Sequence, residues 1–279
     1  MKVLFGFLSL STSLLLANDP FYDELISEMK AENPQTLVNN NSNSSDLAQK
    51  YNSIIELGGN YTHASIRIKG QPLYHGNLGG AQVSYEWKPW NNFYAALSST
   101  WAQGQTSNSL GTRFLTYVDA HERVGYTYAC PSNKWVASFF TGFGYRHYGH
   151  RLKQSGDTLK FNYNELYVPV GIKSTYNFNS WFTGGLNFTW MPQVNSTVKI
   201  VPLNGARWII DNKINNFRAE LPLTFFFTSS KRYSVCVNPF YEYWEDGAST
   251  ASVPQGLKLD LPGNVYNFWG AQVNFGFSF

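Results

Sequence analysis

Charge is scarce in this chain of 279 residues: Asp, Glu, Lys and Arg together make up 14%, against roughly 25% in an ordinary soluble domain. Long apolar runs are missing too. After the first 16 residues the longest is Leu223-Thr224-Phe225-Phe226-Phe227, far short of the roughly 20 residues that a membrane-crossing helix requires. A helical membrane bundle is thereby excluded. Two cysteines, Cys130 and Cys236, are too few for a disulfide framework and have no His/Cys cluster around them that would suggest zinc. No phosphate-cradling loop, nucleophile elbow or metal motif occurs, and the sequence calls for no cofactor and no nucleic acid. Aromatics, by contrast, are abundant at 17%, which excludes disorder for most of the chain. An aromatic chain that is polar on average has to hide its apolar groups by short-range alternation, and alternation means strands.

The N-terminus is read separately. Met1-Lys2, an apolar stretch from Val3 to Leu16 and a small residue at Ala17 form the pattern of a secretory signal, expected at 1–17. Residues 18–53 carry net charge −4, while 54–279 carry +6. Asp19-Pro20 offers a helix cap and first position, and Phe21, Leu25 and Met29 recur every four residues among acids. A short amphipathic helix is expected there. The Asn/Ser-rich stretch 39–45 then reads as a tether. The helix, at 18–32, is a candidate to plug a bore or bind a periplasmic partner.

From Ile54 onward the period is two. Trp269, Ala271, Val273, Phe275, Phe277 and Phe279 alternate with Gly270, Gln272, Asn274, Gly276 and Ser278. The same pattern defines ten strands, at about 54–69, 77–88, 93–105, 113–129, 135–148, 160–176, 181–192, 215–227, 233–244 and 265–279. Short turns at 89–92, 130–134, 177–180 and 228–232 alternate with longer loops at 70–76, 106–112, 149–159, 193–214 and 245–264. Each short turn is flanked by aromatics: Trp87 and Phe93, Tyr128 and Trp135, Tyr176 and Trp181, Phe227 and Tyr233. Strands this long suit a tilted membrane span, and aromatics at their ends suit a bilayer interface. One apolar face opposed by small polar residues gives a closed structure that is wet inside and greasy outside, which hydrocarbon stabilises.

These features resemble bacterial, Gram-negative outer-membrane β-barrel proteins. The closest point of resemblance is the ending Val273-Asn274-Phe275-Gly276-Phe277-Ser278-Phe279, with Val273, Phe275, Phe277 and Phe279 as the alternating signal read by the outer-membrane assembly machinery. The resemblance implies an all-β fold: a single antiparallel up-and-down transmembrane barrel of about ten strands at 54–279, in the cell outer membrane among lipid and lipopolysaccharide. It also implies that the short turns face the periplasm and the long loops face outward.

Parity places Glu86, Asp119, His121, Arg123, Arg146, Glu165, Lys173, Arg218, Glu220 and Glu242 in the lumen, where mixed signs should pair and narrow the bore. Asp119-x-His121 joins a carboxylate to an imidazole, as water activation needs. The pair resembles that of omptin-type outer-membrane proteases, although the second acidic pair of those enzymes is missing here. A structural ion pair of Asp119 with Arg123 is the competing expectation. Arg146, His147, His150, Arg151, Lys153 and Lys160 make the third long loop and its stems basic, fit for lipopolysaccharide phosphates or an acidic polymer. Three functions follow: a structural or surface-interaction protein acting through its loops, a narrow porin-like channel, or a lumen-mouth hydrolase. The first leads, without enzymatic activity. Two features break the pattern. Glu122 falls on the lipid face, and in the first strand the apolar parity changes after Tyr61, for which a bulge near His63 is expected.

Overall fold

The computed structural model describes residues 53–88, 93–130, 134–154, 157–201, 207–228, 230–253 and 261–279. The expected signal, helix and tether lie outside these residues. Fifteen strand segments are formed: β1 (Ser53–Ile68), β2 (Tyr74–Trp87), β3 (Phe93–Asn108), β4 (Gly111–Ala129), β5 (Trp135–Gln154), β6 (Asp157–Tyr167), β7 (Val170–Asn177), β8 (Phe182–Trp190), β9 (Gln193–Val201), β10 (Arg207–Ile210), β11 (Phe217–Glu220), β12 (Leu223–Phe226), β13 (Tyr233–Asp246), β14 (Ser249–Val253) and β15 (Asn264–Ser278). They join into ten walls, because β6–β7, β8–β9, β10–β11–β12 and β13–β14 each continue one another past an interruption. Three interruptions contain prolines, Pro169, Pro192 and Pro222, which cannot donate to the ladder.

Every pairing is antiparallel, and β15 closes the barrel on β1 from Ile54↔Ser278 to Ile68↔Asn264. Closure leaves no edge strand to saturate, the condition for strands in hydrocarbon.

Nine of the ten walls keep one outward parity, and in the β8–β9 wall a bulge at Val194, where Leu166 faces Asn195 and Tyr167 faces Gln193, shifts it; in all of them the chemistry of the two faces inverts partway up. In the lower half, toward the short turns, the outward residues are large, apolar and exposed: Ile55, Leu57, Val83, Leu97, Val124, Phe139, Phe143, Leu186, Phe188, Val273 and Phe275. In the upper half most outward residues are polar, among them Ser65, Arg67, Asn77, Gln103, Gln105, Arg151, Lys199 and Asn267, with Val201 and Ile209 as apolar exceptions. The apolar ones turn inward there: Ala64, Ile66, Leu78, Leu115, Tyr148, Val198, Ile200, Trp208, Ile210, Trp244, Tyr266 and Phe268 form one buried cluster.

This inversion replaces two expectations. The register of β1 runs unbroken through His63 against both neighbours, so the parity change after Tyr61 is not a bulge. It marks the height at which hydrocarbon gives way to water outside and the lumen gives way to a packed core inside. The longer loops are, for the most part, further wall. β5 and β6 meet almost at Gln154↔Asp157, 193–214 contains β9 and β10, and 245–264 contains β14. Above the membrane the barrel behaves as a soluble one, its walls held by an apolar interior worth roughly 1.5–3 kcal/mol for each fully buried large side chain.

The exposed belt has two aromatic edges. The lower one is formed by the expected residues: Trp87, Phe93, Tyr128, Trp135, Tyr176, Trp181, Phe227 and Tyr233 are all 39–64% exposed. An upper ring, which the sequence reading missed, consists of Tyr61, Trp101, Tyr145, Trp190, Tyr241 and Trp269, also outward and exposed. From Phe93 to Trp101, or from Trp135 to Tyr145, is eight to ten residues. At about 3.4 Å each and about 40° of tilt this spans roughly 21–26 Å, the height of an outer-membrane apolar band.

Candidate functional site

The lower lumen is a cavity of about 270 Å³ lined largely by polar side chains, room for several waters. Its floor lies among Ile54, Glu86, Phe226 and Cys236 near the short turns, and its roof is set by Asp119, Arg146, Tyr167 and Glu242. Above that roof stands the apolar cluster with Trp208, Trp244, Tyr148, Tyr167 and Tyr266 almost wholly buried. The bore is therefore closed at its upper end and hollow at its lower one.

Arg146 organises the roof. It is 1% exposed. Its Nε donates to Asp119 Oδ2 at 2.8 Å and its Nη1 to Glu242 Oε1 at 2.8 Å. Its guanidinium lies 3.8 Å from the centre of the Trp244 ring, so the charge is met by two carboxylates and an aromatic face. Glu242 also accepts from Arg218 Nη1 at 3.1 Å, and Arg218 Nε donates to Glu220 at 2.6 Å. Lys173 and Lys88 both bind Glu86. The expected lumen charges thus pair, with two exceptions. Glu165 is buried, and neither of its carboxylate oxygens has a hydrogen-bond partner among the described residues. Arg123 pairs with no carboxylate among them; its guanidinium sits over Phe140 at 5.1 Å and its Nε is unbonded. The expected Asp119–Arg123 pair is therefore not formed, since Arg146, directly opposite Asp119 across β4 and β5, takes that carboxylate.

Asp119 and His121 do come together. His121 Nδ1 lies 2.9 Å from Asp119 Oδ1, and the Tyr167 hydroxyl donates to both Asp119 oxygens at 3.0 Å. The other ring nitrogen, Nε2, is 2.7 Å from Ser98 Oγ. Ser98 was not legible as a site residue. Nothing in its local sequence marks it, and only the β3–β4 register sets it directly across from His121. Both residues line the lower cavity, on the lumen face of β4.

The expected basic loop divides. Arg146 and His150 point inward and are buried; His150 Nε2 lies 2.9 Å from the Tyr266 hydroxyl. They complete the interior because alternate residues of β5 face it. His147, Arg151 and Lys160 face outward. With Arg67, Lys69, Lys199 and Arg207 they form a basic collar above the upper aromatic ring. Among the described residues Arg67, Lys69, Arg151, Lys160, Lys199 and Arg207 have no carboxylate within ion-pair distance, whereas Lys213 pairs with Glu245 at 3.5 Å. Glu122 is outward and exposed in the middle of the belt, between Leu97 and Phe143 on the adjoining strands. Among the described residues no group of three His, Cys, Asp or Glu is placed to hold a metal.

The fold is that of an outer-membrane β-barrel, and solved structures resemble it at that level. The outer membrane protease OmpT from Escherichia coli superposes with a TM-score of 0.51 at 10% identity, over 85% of this chain and 99% of that one. The translocator domain of the autotransporter NalP from Neisseria meningitidis gives 0.43 at 11% identity, over 93% and 96%. Ail, the attachment invasion locus protein of Yersinia pestis, gives 0.35 at 12%, over 81% and 99%. No family model and no curated protein matches the sequence.

Proposed function

We propose that this protein works at the cell surface as a closed outer-membrane barrel, whose basic collar binds anionic groups of the outer leaflet, the phosphates of lipopolysaccharide first among them. The observation that carries this reading is the placement of cations that have no carboxylate within ion-pair distance among the described residues. Arg67 and Arg151 are exposed six residues beyond Tyr61 and Tyr145 of the upper aromatic ring, and Lys199 and Arg207 are exposed side by side across β9 and β10, on the outer side of the belt. Several such charges on a curved wall sum into a field that attracts a polyanion and weakens with salt. The strand-built stalk, rigid and packed with apolar residues, would present this surface at a fixed distance from the membrane.

The test is binding of lipopolysaccharide to the purified barrel in detergent at two salt concentrations. Arg67→Gln, Lys199→Gln and Arg207→Gln combined should weaken binding at least about tenfold at low salt and flatten its salt dependence. Unchanged binding would refute the collar as the working surface. Channel activity would need a path through the aromatic layer at Trp208 and Trp244, so planar-bilayer recordings of this barrel should be silent.

A further inference from the structure

We propose that Ser98, His121 and Asp119 form a nucleophile–base–carboxylate relay in the lower lumen, making the barrel a hydrolase of small uncharged acyl esters that enter from the short-turn, periplasmic end. This is independent of the surface reading. Three observations converge. The relay has the required distances, 2.7 Å from Ser98 Oγ to His121 Nε2 and 2.9 Å from His121 Nδ1 to Asp119 Oδ1. An Asp that accepts from Nδ1–H leaves Nε2 free to take the serine proton, the arrangement that activates a hydroxyl. Asp119 is itself fixed by Arg146 and Tyr167, so the imidazole is oriented by a rigid group.

The second observation is access. Ser98, His121 and Thr100 all line the hollow part of the lumen, below the roof that closes the bore. A serine–histidine contact in the packed upper interior could meet no substrate; this one faces the cavity of about 270 Å³. The third is Arg123. It lies two residues beyond His121 on the same face of β4, lines the same cavity, and has no carboxylate within ion-pair distance among the described residues. It is the cation on hand for the charge that develops on a carbonyl oxygen. The other cavity cations, Lys88, Lys173, Arg146 and Arg218, are neutralised by Glu86, Asp119, Glu220 and Glu242. The cavity's size limits the acyl and alcohol parts together to a small molecule.

The chemistry balances with water alone. Ser98 Oγ bonds to the ester carbonyl carbon as His121 Nε2 takes its proton. The C–O bond to the alcohol then breaks, and the alcohol leaves with that proton. Water attacks the acyl-serine, giving its proton to His121; the Ser98 oxygen leaves and is reprotonated, and the carboxylic acid departs.

The experiment uses the full-length protein folded in detergent, with a fluorophosphonate probe and p-nitrophenyl butyrate as substrate. Folding of each variant is checked by heat-modifiable migration. Ser98→Ala removes one oxygen and should fold as wild type. The relay predicts fluorophosphonate attachment at Ser98, located by peptide mass spectrometry, and ester hydrolysis that falls at least about a hundredfold in Ser98→Ala and in His121→Gln. Should His121→Gln fail to fold, Ser98→Ala alone decides. A folded wild-type barrel that takes up no probe, or a Ser98→Ala variant that hydrolyses the ester as well as wild type, would overturn the proposal and leave these contacts as a structural hydrogen-bond chain.

Discussion

Replacing Arg146 by methionine tests the roof of the lumen. The guanidinium is 1% exposed and is shared by Asp119 and Glu242, which are 4% and 1% exposed. Methionine keeps most of the volume and removes the charge, so packing changes little and electrostatics change greatly. Removing one member of a buried pair costs about 3–5 kcal/mol, because the carboxylate left behind is neither solvated nor paired. Glu242 would keep Arg218 at 3.1 Å, and Asp119 would keep Tyr167 and His121, which moderates the loss. The contact with Trp244 at 3.8 Å adds about 1–2 kcal/mol to it. A total of about 3–5 kcal/mol follows. Urea unfolding in short-chain lipid vesicles, followed by tryptophan fluorescence, measures it. Adding Asp119→Asn and Glu242→Gln to the methionine variant should recover part of the loss, since the stranded charges are then gone. A methionine variant within about 1 kcal/mol of wild type would refute the claim that Arg146 balances these two carboxylates.

Two further outcomes are expected. Glu122→Leu, on the lipid face between Leu97 and Phe143, should stabilise the barrel by about 1 kcal/mol in the same urea assay, since an outward carboxylate at mid-belt is costly; a loss of stability would mean that Glu122 meets a protein neighbour. His150 is buried above the belt, with Arg113 and His147 nearby, and its pKa is lowered to about 3 by burial and those charges. Unfolded, it titrates near 6.5. Its contribution is complete above that value and is lost as pH falls toward 3, amounting to about 2 kcal/mol by pH 5. The Asp246 carboxyl, pushed up by burial, works in the opposite sense, so the informative quantity is a difference. Stability of wild type minus that of His150→Gln should fall between pH 7 and pH 5, and parallel curves would contradict the assignment.

The ten walls and the lower aromatic edge were legible because alternation is a local signal. Trp269 through Phe279 displays it without reference to any other strand. The upper half was harder to read. Ile66 and Ile68, Val198 and Ile200, and Trp208 and Ile210 alternate as clearly as the belt does, but on the opposite parity. A reading that holds the apolar face outward throughout turns that signal into a bulge or a loop. The physical cause is a change of solvent along the strand, which no single segment announces. The site shows the same division. Asp119 and His121 share a strand and were visible as a pair. Ser98 and Arg146 join them through cross-strand register, Ser98↔His121 and Asp119↔Arg146, and register is settled by closure of the whole barrel. His150 was read as a loop charge for the same reason, since strand β5 runs to Gln154 and carries it indoors.

The change of solvent along one strand is best measured on β15, where Val273 and Asn267 face outward six residues apart. Val273 stands in the belt and Asn267 above it. Arginine at each, compared by urea unfolding in lipid vesicles, should cost about 2–4 kcal/mol at 273 and about 0–1 kcal/mol at 267. Equal costs at the two positions would contradict the inversion on which the fold, the closed bore and the surface reading all depend.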